Sequence, residues 1–214
     1  MNKRTRETDV TAETHTTADS TSWEVIGQSV TIDDFAAESD FEAVEHLVVN
    51  KAPDAMYSAL RNLDLLTIRS STADLAMWVR GLPERLRRRV PPRQPTRLTY
   101  DDLVASGDWV LLGEQPGREV IFGAAGRFWT PIVRWEQVEA EQFTEYGKPG
   151  RGKIFSSLSV RPYGRSSSLV TYDIRTVLND PITHRIFKLY WVVVKPFVRA
   201  IMRATVRTAA EQAA

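Results

Sequence analysis

Asp173 and Arg175 stand two residues apart in the strand-like run 169–178, so both side chains leave the same face of the backbone. A carboxyl and a guanidinium so placed could orient the polar end of a bound molecule, or move protons, if their face looks inward. If it looks outward, they form a solvent-screened pair worth roughly 0–1 kcal/mol. The outward reading is favoured, because Tyr172, Ile174 and Thr176 make the more apolar alternate face. His15, His46 and His184 are too few and too scattered for a metal site. His46, in the first strand-like run, is the histidine placed near a core, where a structural role outweighs a catalytic one. His184 lies beside Arg185 in the first turn of the last helical pattern and reads as exposed. No nucleophile elbow, His-Glu-x-x-His zinc motif or phosphate loop is present. Gly123 and Gly126 follow a strand in hairpin-like sequence and suit a bulge better than a dinucleotide fingerprint. Zero cysteines removes disulfides, thiolate chemistry and cysteine metal sites, and the leading reading expects neither a metal nor an organic cofactor.

These residues need elements to position them. A chain of 214 residues, 43% hydrophobic and of net charge +1, suits one domain with a real core plus a tail, and its charge balance gives no reason to expect nucleic acid. Residues 1–22 are dominated by Thr, Glu, Asp and Ser, with no apolar signal-peptide core. They read as a disordered polar tail of a cytoplasmic protein. Residues 23–40 read as a partly ordered extension, and 41–214 as the domain. Residues 41–50 resemble a first strand, through Val44, Leu47, Val48 and Val49. Pro53 then opens a short helix to about residue 62, with Met56, Leu60 and Leu63 on one side. A second helix follows, capped by Ser71 and Asp74 ahead of Leu75, Met77, Trp78 and Leu82. Strand signals occupy 109–113, 119–122, 128–138, 153–160 and 169–178, with turns at 115–118 and 161–165. Such short connections predict an antiparallel, curved meander.

The last segment, 180–211, is one amphipathic helical pattern. Asp180 and Pro181 suit an N-cap and first helical position, and the helix should run about 45 Å. Ile182, Ile186, Tyr190, Val193, Phe197 and Ile201 form an apolar stripe, which Phe187, Trp191, Val194, Val198 and Met202 widen. Lys195, Arg199, Arg203 and Arg207 recur every four residues as a basic side, and Pro196 predicts a kink. Lys188, Lys195, Arg199 and Arg203 interrupt the apolar run too often for a membrane span. A core-packed helix with a solvated basic side is favoured over one lying on an anionic membrane surface. The cluster Arg85, Arg87, Arg88, Arg89, Arg93 and Arg97 carries no stacking aromatics, so a solvated loop is favoured there over lipid or nucleic-acid contact.

Five stretches in order, KAPDAMYSAL (51–60), LLGEQPGREV (111–120), GRFWTP (126–131), TYDIRTV (171–177) and FKLYW (187–191) leading to Pro196, give the chain a family likeness. From about residue 41 to 211 it resembles the START-like helix-grip superfamily, also called SRPBCC, and within it a bacterial branch of uncharacterised members. That branch usually carries Thr-Glu-Thr-Arg in the strand motif. Tyr172, Asp173 and Ile174 depart from it, and Arg175 keeps the arginine.

The resemblance implies an α+β helix-grip fold: a curved seven-stranded antiparallel sheet wrapped around the long C-terminal helix, two short helices after the first strand, and a cavity between sheet and helix. On that expectation the cavity is lined by Trp78, Phe128, Trp129, Tyr146, Phe155, Tyr172, Tyr190 and Trp191, with Arg175 as a polar group. For any one ring, plain core filling is as good a reading as ligand contact. Arg127 and Arg134 could fix a carboxylate or phenolate, with surface solvation the safer reading. The leading expectation is a protein that binds or carries a small hydrophobic molecule. The alternatives are a cyclase, aromatase or dehydratase acting on a polyketide-like substrate, and a peripheral membrane or protein-interaction module.

Overall fold

The structure is a computed structural model that describes residues 30–68 and 96–213. The whole 1–22 tail, the Ser71–Asp74 cap, Trp78 and most of the 85–97 arginine cluster lie outside the described residues. The elements are α1 (Asp33–Ala36), β1 (Phe41–Val49), α2 (Pro53–Arg61), a 3-10 turn (Leu65–Thr67), α3 (Tyr100–Ala105), β2 (Val110–Gln115), β3 (Glu119–Arg127), β4 (Arg134–Glu136), α4 (Ala140–Phe143), β5 (Gly152–Tyr163), β6 (Ser167–Leu178) and α5 (Pro181–Gln212). All pairings are antiparallel, in the order β1-β6-β5-β3-β2, with β4 on the β3 edge beyond β2. Six strands are present among the described residues, against the seven implied by the resemblance.

Turn chemistry sets the hairpins. Gly117, at φ 79°, lets Arg118 N donate to Gln115 O at 2.9 Å, closing the β2–β3 turn. The β5–β6 hairpin is longer than expected, with twelve residues in each strand, because pairing continues to Tyr163 and Ser167 before Gly164 turns the chain. A register shift between Leu111 and Gly113 marks a bulge in β2.

The expected strand at 128–138 survives only as Arg134–Glu136. Gly126 has φ 155°, and a Cβ there would sit 2.3 Å from the Arg134 carbonyl oxygen. The chain therefore leaves the sheet after Arg127, and Phe128 and Trp129 turn into the core. Gly126→Ala should destabilise the protein by about 1–3 kcal/mol in urea denaturation. An unchanged midpoint would show that the β3–β4 approach is not tight.

Each sheet face has its own core. On one face Ala43, Val120, Phe122, Leu158, Val170 and Tyr172 meet α2, α3 and α5; on the other, Ala125 and Phe155 meet Ile32 just before α1, Ala36 from α1 and Phe143 from α4. Alternation along the strands divides the residues between these faces.

α5 runs unbroken through Pro196 for 32 residues, roughly 48 Å. Its start is well capped: Asp180 accepts from Thr183 N at 2.8 Å, from the Thr183 hydroxyl at 2.6 Å and from Gly150 N at 2.7 Å. The Thr183 hydroxyl and these backbone donors hold the Asp180 carboxyl down at about 2. The buried side of α5 differs from the expected stripe. Thr183, Phe187, Trp191, Met202, Thr205, Val206 and Ala209 are buried, whereas Ile182, Ile186, Leu189, Val192 and Val193 are exposed. In the first three turns large apolar residues stand on two sides of the helix, so periodicity alone does not choose the face. Among the described residues, no helix is long and apolar enough to cross a membrane.

Candidate functional site

Phe187 sits at the centre of the helix face, fully buried. Its ring centroid lies 5.0 Å from Phe41, 5.7 Å from both Phe128 and Trp129, 5.4 Å from Tyr190 and 5.8 Å from Trp191. The strand phase of β1, the inward turn after Gly126 and the helical spacing of 187, 190 and 191 bring these rings together. Further along the same face Tyr100 stacks on Phe122 at 4.8 Å and 10°. Tyr100 comes from α3, which Thr99 starts with a capping box: Asp102 Oδ2 accepts from Thr99 N at 2.7 Å, and Asp102 N donates to Thr99 Oγ1 at 3.3 Å.

Two polar atoms in this apolar wall, Tyr100 Oη and Trp129 Nε1, are buried without a hydrogen-bond partner. Burial first, and the nearby Tyr172 phenol second, push the Tyr100 hydroxyl well above its ordinary value. The two phenols approach one another without completing a hydrogen bond of good geometry. Tyr100 thus stays neutral and able to donate.

The rim of this face is polar and satisfied. The Tyr57 hydroxyl donates to Glu114 Oε1 at 2.6 Å, Arg61 Nε donates to the same oxygen at 3.2 Å, and Arg61 Nη2 lies 2.8 Å from Asp101. Burial, then the bond to Glu114, raises the Tyr57 phenol. Glu114 reaches the helix face because the β2 bulge shifts the alternation by one residue. Beside this network Arg61, Asn62, Thr96, Thr99, Asp101 and Asp102 border an open polar cleft of about 460 Å³.

At the sheet edge, Glu45 on β1 points toward α5 and is 6% exposed. Arg203 Nε donates to Glu45 Oε2 at 2.6 Å and Arg199 Nε bonds Oε1, so two arginines one turn apart hold one carboxylate. Burial alone would raise the Glu45 carboxyl; the guanidiniums of Arg203 and Arg199 outweigh it and hold it below its ordinary value. The basic side of the helix is thus partly consumed in packing instead of being wholly solvated.

Of the residues expected around the cavity, Phe128, Trp129, Tyr172, Tyr190 and Trp191 meet on the helix face. Phe155 and Tyr146 belong to the opposite core, where Phe155 meets Phe143 edge-on at 5.3 Å. Arg175 lies there too: it is the direct partner of Phe155 in the ladder and, three residues from Tyr172, takes the other face. Trp78 lies outside the described residues.

Asp173 and Arg175 do face away from α5, but they are not a solvent-screened pair. Their side chains are 10% and 15% exposed, because α1 covers them. Arg175 Nη2 and Nε donate to Asp173 Oδ2 at 3.0 and 3.1 Å, while Nη1 donates to Asp33 at 2.6 Å and to the Ala36 carbonyl at 2.7 Å. Arg175 thus ties the segment before β1 to the sheet. Asp173 Oδ1 has no partner, and burial pushes this carboxyl up against the opposing pull of Arg175.

His46 is exposed on that second face, 2.9 Å from the Thr171 hydroxyl, instead of near a core. His184 lies 3.8 Å from Asp40. Among the described residues no three metal-ligating side chains converge. Sequence reasoning missed Phe41, Phe122 and Tyr100 as members of the site. The Thr99-x-x-Asp102 signature was the available signal for α3.

Neither a family model nor a curated protein matches the chain. Solved structures similar to it include norcoclaurine synthase from Thalictrum flavum in complex with dopamine and hydroxybenzaldehyde, at 12% identity and TM-score 0.32 over 81% of this chain and 88% of that one. Another is CalU16 from Micromonospora echinospora, at 11% identity and TM-score 0.28 over 80% and 85%. A third is the hypothetical protein jhp0584 from Helicobacter pylori, at 8% identity and TM-score 0.41 over 85% and 95%. Likeness at these values says nothing of ligand or chemistry.

Proposed function

We propose that the protein binds a small, largely apolar molecule carrying a hydrogen-bond acceptor, against the helix face of the sheet. The observation that carries this reading is the pair of buried donors without partners, Tyr100 Oη and Trp129 Nε1, set in a wall of Phe122, Phe128, Phe187 and Tyr172. Buried polar groups are nearly always satisfied, so two such donors on one apolar face are best explained by an acceptor that the polypeptide does not supply. Apolar contact would provide affinity, and the two donors orientation. Tyr190 and Trp191 belong to the same wall.

A cyclase-type enzyme would need a group able to exchange a proton near neutral pH. Three titratable side chains on this face fit that role poorly: the Tyr57 and Tyr100 phenols are raised, and the Glu45 carboxylate is paired with two guanidiniums. Binding is therefore the reading adopted.

The test is native mass spectrometry of protein purified from the cells that naturally make it, followed by denaturing release. A discrete apolar compound is expected. Tyr100→Phe should lower its affinity about fivefold, the worth of one hydrogen bond, while leaving the ligand-free melting temperature nearly unchanged, since the hydroxyl completes no well-formed hydrogen bond within the protein. A bare protein, or a Tyr100→Phe variant that loses stability but not ligand, would overturn the reading.

A further inference from the structure

The outer face of α5 is apolar where a helix on a sheet should be polar. Ile182, Ile186, Leu189 and Val193 follow one another at intervals of four, three and four, with Val192 beside them, and all five are exposed, Leu189 to 75% and Ile182 to 72%. The ridge spans three turns, roughly 16 Å. Large apolar residues scattered singly on a surface mean little, but five on one helical stripe form a contact face.

Its occupant follows from charge. Arg185 and Lys188 flank the ridge one turn apart, both exposed and without an ion pair among the described residues. Lys195 lies over the Trp191 ring at 5.9 Å, just beyond the ridge. From 181 to 210 the helix contains no aspartate or glutamate. The acids at its start are engaged: Asp180 caps the helix, and Asp40 accepts from Leu178 N. A second copy of this face would set Arg185 and Lys188 against cations of the same helix, with no acid to pair them. An anionic lipid surface complements both features, since the apolar ridge can enter the acyl boundary while the cations meet the headgroups.

We infer that the N-terminal half of α5 is a docking face for an anionic membrane surface, inserted through the ridge Ile182, Ile186, Leu189 and Val193 and steered by Arg185 and Lys188. This face lies outside the ligand wall of Phe187 and Trp191, on the opposite side of the same helix. The helix would rest on the membrane without spanning it.

The test is co-sedimentation of the full chain with vesicles of phosphatidylcholine, with and without about 30% phosphatidylserine, in about 0.1 M salt. Binding to the anionic vesicles is expected, with little to the neutral ones. Arg185→Gln with Lys188→Gln should weaken it about 25-fold, at roughly fivefold per cation near the surface. Leu189→Ser with Val193→Ser should weaken it at least about tenfold, with the melting temperature unchanged because both side chains are exposed. The inference is overturned by absence of binding, by equal binding to both vesicles, or by affinity unaffected in either double variant. A melting temperature that falls in Leu189→Ser with Val193→Ser would also overturn it, since the ridge would then be covered within the protein. So would a dimer that the same substitutions dissociate.

Discussion

Phe187→Ala should lower the free energy of unfolding by about 3–5 kcal/mol, read as a shift in urea midpoint without a change in slope. The ring is fully buried and touches five other rings, from β1, from the segment after β3 and from α5 itself. Truncation removes its transfer free energy and leaves a hole that the surrounding rings cannot close, because they are fixed by three separate parts of the chain. Leu189→Ala, two residues along the same helix but on the exposed ridge, should change stability by no more than about 0.5 kcal/mol. If the two substitutions cost the same, α5 is not gripped by the face described above.

That contrast also shows what the sequence could disclose. The start of α5 was legible because Asp180 and Pro181 act locally, through a cap and a fixed φ. Its buried face was not, since Ile182, Ile186 and Val193 are as apolar as Phe187 and Trp191, and only the sheet beneath decides between them. In β6 the strict alternation separated Tyr172 from Asp173 and Arg175 correctly. The same rule, applied across the ladder, places Phe155 with Arg175 and away from Tyr172, but that step requires the β5–β6 register. The burial of Asp173 and Arg175 was illegible for another reason: α1 covers them from over a hundred residues earlier in the chain. Tyr100 was within reach, because Thr99 and Asp102 carry a complete capping signature in the sequence.

Glu45 is the case in which distance along the chain matters most, since its arginine partners lie 154 and 158 residues away. Glu45→Ala should destabilise the protein by about 2–3 kcal/mol. This falls below the ~3–5 kcal/mol typical of breaking a buried pair, because β1 is an edge strand and the Arg199 and Arg203 side chains, 45% and 47% exposed, can turn to water. The pH dependence separates this charge from simple packing. The carboxyl is held below its ordinary 4.5 in the folded protein, so its contribution is fully present above that value and is lost as pH falls through the folded value. Glu45→Gln keeps the shape without the charge; its stability loss relative to the parent should therefore be largest at neutral pH and shrink on acidification below about 4.5. Asp173 acts with the opposite sign. Its folded value is raised, so its ionisation costs stability as pH rises through that value, and Asp173→Asn should gain on the parent at neutral pH relative to acid. Urea titrations from acid to neutral pH on the three proteins would read both slopes. Parallel curves for the parent and Glu45→Gln would mean that the arginines hold the helix through packing of their stems alone.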